Sequence, residues 1–395
     1  MAGATARWVA AVATALVAAA GLAACASSDS STTASTSASS GRSGPPLAWS
    51  AVELPTGVQP KTLTTMGDRL LVGGLRAGDT PETPSPVMLV LDAAGSRQSV
   101  PLTPQSPYAP LARWYSVAAE GSRIVAIGGA NGGAHGNVRW TTWNGTLAGV
   151  QELPQSFYTF GGWGAGELVD AVITPGGDAL IGSWGGAHAG LDAAVWTFAD
   201  PVWTRQDPAG TALESTPTLL VGPRGATSDG EGILVTGSAL HLGNGVKQTA
   251  SVWRSSGVNT GWHRIDLPES GNQSESVSAQ CGDAGVCLVT GQVDGRLALW
   301  DLHGDTATRQ AGVPELAVGD QDVVPRPMIS GPTLVVVSPS GDRTVVVTNA
   351  LEGWAASVGP TGLPVAAALV GNRLYVATRP APGADATLYV ARLAG

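Results

Sequence analysis

Five histidines, three cysteines and a scatter of carboxylates are the residues of this chain able to do acid–base, nucleophilic or metal chemistry. His135, His188 and His241 recur at equal intervals of 53 residues. A metal ion needs every ligand within about 2.1 Å of one point, whereas a fixed long interval places residues in equivalent loops that diverge. The spacing therefore reads as repeat ancestry or loop hydrogen bonding, and neither a metal nor a cofactor is expected. Glycoside hydrolysis needs only two carboxylates across one cleft, and Glu167, Asp170, Asp320 and Asp322 are the acids placed for it. The chain has no HExxH, no GxSxG, no Walker loop and no dinucleotide fingerprint, so no catalytic residue is assigned. The aromatic residues are more concentrated. PQSPYAPLARWY (104–115) and PQSFYTFGGWGAGE (154–167) hold Tyr108, Trp114, Tyr115, Phe157, Tyr158, Phe160 and Trp163. Tyrosine and tryptophan with little charge around them suit stacking on a sugar or capture of a peptide. They also suit packing between elements, and Trp114 fits a strand.

What positions these residues is a repeat. Short apolar runs, often ending in glycine, recur as DRLLVGG (68–74), SRIVAIGG (122–129), DALIGSWGG (178–186), EGILVTGS (231–238), GVCLVTGQ (285–292), PTLVVVSPS (332–340) and NRLYVATRP (372–380). Each follows a strand and a tight turn, as in KTLTTMGDRLLVGG, where Gly67 supplies the turn. A longer loop and a third strand come next, often with tryptophan: VRWTTWNG (138–145), AAVWTFAD (193–200), ASVWRSSG (250–257) and LALWDLHG (297–304). A fourth strand closes many units, such as GVQELP (149–154) and WHRIDLP (262–268). With 54 glycines and 27 prolines there is little room for long helices.

Four short antiparallel strands per unit, repeated about every 40–55 residues, predict an all-β, seven-bladed β-propeller over residues 47–395. Six or eight blades are the alternatives, because units five and six are short. The last unit stops after three strands, and LAWSAVELP (47–55) reads as a fourth strand without neighbours. Pairing the two closes the ring and leaves no blade half-built. The pattern resembles the broad class of WD40-, YVTN- and BNR-like bacterial propellers. The Gly-His and Trp-Asp pairs of the first kind and the Asp boxes of sialidases are absent, so the resemblance implies the fold and leaves the activity open.

The N-terminus carries a second resemblance. One arginine, Arg7, precedes an apolar stretch from Trp8 to Ala24, the layout of a secretory signal. Leu22, Ala23, Ala24 and Cys25 resemble a bacterial lipobox, which implies a signal peptide over 1–24, a lipidated Cys25 and a chain held stably in the bilayer. Residues 25–46 are rich in Ser, Thr, Ala and Gly and read as a disordered tether. Scarce lysine beside common arginine, with abundant alanine, resembles proteins of high-GC actinobacteria. The expected location is the outer face of the cell membrane.

Outside the cytoplasm Cys281 and Cys287, which flank a turn in the fifth unit, are expected to form a structural disulfide. The formal net charge of −9, with no basic run, excludes nucleic acid as the natural partner. The expected function is a membrane-anchored, non-catalytic binding or scaffold module for an envelope protein, peptide or glycan. Tyr108, Trp114, Tyr115, Tyr158, Phe160 and Trp163 are its candidate ligand-binding residues. A sialidase-like envelope glycoside hydrolase or lyase is the alternative, and it requires acids or arginines converging at the axis.

Overall fold

The computed structural model describes residues 42–80, 83–132, 136–282, 285–350 and 353–393. Cys25, the signal segment and most of the expected tether lie outside the described residues, as does His135. Among the described residues no helix is long and apolar enough to cross a membrane.

Seven sheets stand in a ring. Their inner strands, in chain order, are Val58–Met66, Arg113–Glu120, Ala165–Thr174, Leu219–Asp229, Ser274–Cys281, Met328–Ser330 and Leu363–Val370. All seven apolar runs become second strands, from Arg69–Arg76 in blade 1 to Arg373–Arg379 in blade 7. Blade 7 borrows its outer strand from the start of the chain: Ser50–Val52 pairs antiparallel with Thr387–Arg392, Ala51 opposite Tyr389. The chain is a seven-bladed β-propeller, closed as the sequence predicts.

Two edges carry more than the sequence suggests. Leu102–Thr103 adds parallel to the outer strand of blade 2, and Arg42–Ser43 adds parallel to the outer strand of blade 6. The end of the segment read as a tether is thus held by the ring: Gly44 N donates to Ala356 O and Ser357 Oγ to Pro45 O. In blade 6 the inner strand is only Met328–Ser330. Pro325 and Pro327 precede it, and without an N–H neither can join the ladder.

Apolar packing lies in the seams. Seven clusters of buried side chains each join two neighbouring blades, and the cluster of blades 7 and 1 includes Val72, Leu89, Tyr375 and Leu388. Trp143, Trp196, Trp253 and Trp300, on the third strands of blades 2 to 5, are fully buried and fill this space. Two of them also fasten the connections between blades, Trp196 Nε1 donating to Thr159 O and Trp300 Nε1 to Pro268 O, both at 2.9 Å. Cys281 and Cys287 sit directly opposite each other on the inner and second strands of blade 5 and are joined.

The recurring glycine of the second strands has a physical cause. Six inner strands contain a one-residue bulge, whose extra residue is Lys61, Tyr115, Val169, Arg224, Val277 or Val365. In blades 1 to 5 a glycine faces the residue just before the extra one: Gly74, Gly128, Gly182, Gly237 and Gly291. The bulge presses the inner backbone onto that glycine, so that a Cβ on Gly182, Gly237 or Gly291 would collide with the carbonyl of Glu167, Gly222 or Glu275.

Gly237→Ala is expected to cost about 1–3 kcal/mol in chemical denaturation, whereas Gly222→Ala, where a Cβ meets nothing closer than 3.6 Å, is expected to be neutral or slightly stabilising. Replacing Cys281 and Cys287 together by Ser is expected to cost about 2 kcal/mol in the same measurement, the loop-closure entropy of so short a ring.

Candidate functional site

The inner strands line a central channel of about 850 Å³. Its upper face is taken as the one carrying the connections between blades. Inner strands start there, their extra residues fall three to six positions in, and a bulge re-aims side chains. Lys61 and Tyr115, extra residues of blades 1 and 2, both line the channel.

Inside the channel Asp170 of blade 3 ties four parts of the ring together. Its Oδ1 accepts from Ser116 Oγ of blade 2, and its Oδ2 accepts from Ala226 N of blade 4 at 3.0 Å. Arg326 reaches in from the linker to blade 6 and donates through Nη2 to Asp170 Oδ2 at 2.9 Å and to Ala226 O at 2.8 Å. Two residues before Ala226, the same inner strand supplies a second pair. Arg224 grips Glu275 of blade 5 in a fork, Nε to Oε1 at 2.9 Å and Nη2 to Oε2 at 3.1 Å. The Glu275 carboxylate holds the Arg224 guanidinium above its ordinary range against the cost of burial, and Glu167 and Asp320 add to the effect.

Of the four acids singled out in the sequence, Glu167, Asp170 and Asp320 thus gather around two arginines, while Asp322 accepts from Gly319 N at 2.7 Å within its own turn. Sequence reasoning missed Arg224, Glu275 and Arg326. The one legible signal was Arg326 between two prolines, a segment unable to form a regular strand. Two acids among the described residues are pushed above the usual carboxylate range, Asp192 and Asp301, in both cases mainly by burial. Neither lines the channel.

The aromatic candidates divide. Trp114 is buried in the seam of blades 1 and 2, where Nε1 donates to Val87 O and the ring meets Trp143 edge-on at 5.4 Å. Phe160 is buried against Trp196 in the next seam. Both are packing residues, because the inner strand and the one-turn helix Phe157–Phe160 direct them between blades. Tyr108 is half-buried over Gly132. Tyr115 is partly exposed and stacks edge-on against Trp140 at 4.8 Å. Burial pushes its phenol up, with Arg113 opposing and Glu167 adding. Tyr158 is 78% exposed and Trp163 wholly so.

Their exposure follows from how the loop is pinned. Ser156 caps the helical turn, Thr159 N donating to Ser156 O at 2.9 Å and Gly161 N to Phe157 O at 2.8 Å. Phe160 anchors the turn from below and Trp196 holds Thr159. Phe157, Tyr158 and Trp163 remain outside, and Arg139 lies 4.8 Å from the centre of the Phe157 ring.

Among the described residues the histidines do not meet. His188 pairs with Glu214 at 3.3 Å, and His241 ends the second strand of blade 4. Among the described residues the cluster of metal-ligating types is Asp229, Cys281 and Cys287, in which the cysteines are joined and Arg254 Nε holds Asp229 at 2.6 Å.

No family model matches the chain, and no curated protein matches it. Solved structures do. The β-propeller domain of the Trilobed protease from Pyrococcus furiosus superposes with a TM-score of 0.53 at 7% identity, over 85% of this chain and 96% of that one. An acylaminoacyl peptidase from Pyrococcus horikoshii gives 0.53 at 8% identity, over 87% of this chain. A Trypanosoma rangeli sialidase gives 0.44 at 11% identity, over 90%. This chain spans 52% of the peptidase and 60% of the sialidase. What is shared is the fold.

Asp170→Asn keeps an acceptor but removes the charge that Arg326 faces. It is expected to lower stability by about 1–3 kcal/mol in urea denaturation. An unchanged midpoint would show that the tie inside the channel holds nothing together.

Proposed function

We propose that this propeller is a non-catalytic binding module for a glycan of the cell envelope, held at the outer face of the membrane by lipid on Cys25. The observation that carries the reading is the pinned loop that leaves Tyr158 and Trp163 in solvent while Phe160 is buried beneath them. Exposed large aromatics are costly unless something covers them. A loop already fixed by Ser156, Phe160 and Trp196 loses little entropy when a ligand does so. Flat rings with polar edges suit the apolar faces of sugar rings, and Tyr115 against Trp140 offers a further aromatic surface at the channel mouth.

Hydrolysis or lyase chemistry finds less support. Asp170 and Glu275 are each engaged by an arginine, and a general acid is normally a carboxyl raised by its surroundings. The two raised acids, Asp192 and Asp301, stand away from the channel lining.

Glycan-array and pull-down binding with residues 42–395 tests this. The double variant Tyr158→Ala/Trp163→Ala is expected to keep its melting temperature and to lose at least about tenfold in glycan affinity, the size expected for two stacking anchors. Glycan binding unchanged in the variant places the ligand elsewhere, and capture of protein or peptide with no glycan bound overturns the ligand class.

A further inference from the structure

Beside the exposed rings stands one cation without an acid. Arg139 lies near the start of the third strand of blade 2, opposite Ala130, and its guanidinium carbon sits over the Phe157 ring, 4.8 Å from the centre. Arg123, Arg224, Arg254 and Arg326 each meet a carboxylate. Among the described residues the Arg139 guanidinium meets none and makes no hydrogen bond. Packing holds it instead. Its stem runs past Gly132, where a Cβ would come within 2.7 Å of the Tyr108 ring and 3.6 Å of Arg139 Cγ, and Gly132 N donates to Asn137 O at 3.1 Å, closing the hairpin from which the stem rises. The Phe157 ring is fixed in turn. It lies against Gly161, where a Cβ would stand 2.7 Å from Cε2, and meets the Tyr158 ring edge-on at 5.4 Å.

A ring under a guanidinium attracts the charge without neutralising it, and leaves the in-plane N–H groups free to bond an anion. Those groups form a planar fork that fits the two oxygens of a carboxylate. In a uronic acid the carboxylate carbon is bonded directly to the pyranose ring, so a unit stacked on a flat side chain carries its charge at the rim of that ring. Tyr158, next in the chain to Phe157 and 78% exposed, offers such a side chain beside the cation. We infer that the glycan taken by the Tyr158 and Trp163 loop is acidic, and that Arg139 receives the carboxylate of a uronic-acid unit whose ring stacks on the neighbouring aromatics. This inference rests on the glycan reading above and adds the charge of the ligand. Arg139 is a specificity residue ready for the task, because a stem and head already held by packing lose little freedom on binding. In a chain of net charge −9, an acidic glycan is drawn only by a local cation of this kind.

Isothermal titration of the full chain in detergent at neutral pH tests it with two probes: tetragalacturonate and its full methyl ester, which keeps the rings and loses the charge. The acid is expected to bind the wild type at least about tenfold more tightly than the ester, the size of one charge-assisted pair. Arg139→Gln is expected to erase that difference by weakening the acid alone, with the affinity for the ester and the melting temperature close to those of the wild type. Arg139→Lys, which keeps the charge and loses the fork, is expected to restore part of it. Tyr158→Ala/Trp163→Ala is expected to weaken acid and ester alike. Equal binding of acid and ester by the wild type, or a preference that survives in Arg139→Gln, would overturn the acidic assignment; if the double variant still weakens both probes, the glycan reading stands without it. Binding of neither probe would overturn the inference together with the reading on which it rests.

Discussion

Each blade of this molecule buries apolar side chains on both faces, so no blade is stable with one face open to water. Seven seams can all be filled only if the ring closes. Closure rests on one short pairing, Ser50–Val52 against Thr387–Arg392, which joins strands more than 330 residues apart in the chain. The seam of blades 7 and 1, with Leu70, Val72, Tyr375 and Leu388, also takes in Val52 and Leu54 from that N-terminal segment. The strands at Leu102–Thr103 and Arg42–Ser43 extend the same logic, covering outer edges that would otherwise present unpaired backbone.

A ring of identical blades would have a featureless axis. Here the bulge makes the difference. It repeats at the same place in six blades, and its extra residue varies: lysine in blade 1, tyrosine in blade 2, arginine in blade 4, valine in blades 3, 5 and 7. A shared backbone irregularity thus becomes a set of positions where chemistry changes without disturbing the fold. In blades 3 to 5 the facing glycine is the structural cost, since a Cβ there would strike the displaced inner strand, whereas in blade 7 Thr378 takes that place.

On the side of blades 3 to 6, Asp170 with Arg326 and Glu275 with Arg224 are paired and tie strands together. The aromatic surface begins at Tyr115, whose phenol feels both Arg113 and Glu167. One mouth therefore offers a rigid wall of paired charges with rings beside it.

Much of this was legible in the order of residues. Blade count, strand order, ring closure and the Cys281–Cys287 bond all follow from local pattern and its period, because each strand records its own burial and each turn its own geometry. The recurring glycine was visible as well, though not its reason, which lies in the approach of another strand. What the chain could not reveal is which residues meet across the axis. Asp170 and Arg326 are 156 positions apart, and Gln59 and Asp385 come together only when the last blade returns to the first. Nor could the aromatic cluster be sorted: Phe160 and Tyr158 are two residues apart, one buried and one in solvent, because a single helical turn sends them in opposite directions. Period and pattern are properties of neighbours along the chain. The site is a property of neighbours around a closed ring, and only closure determines who they are.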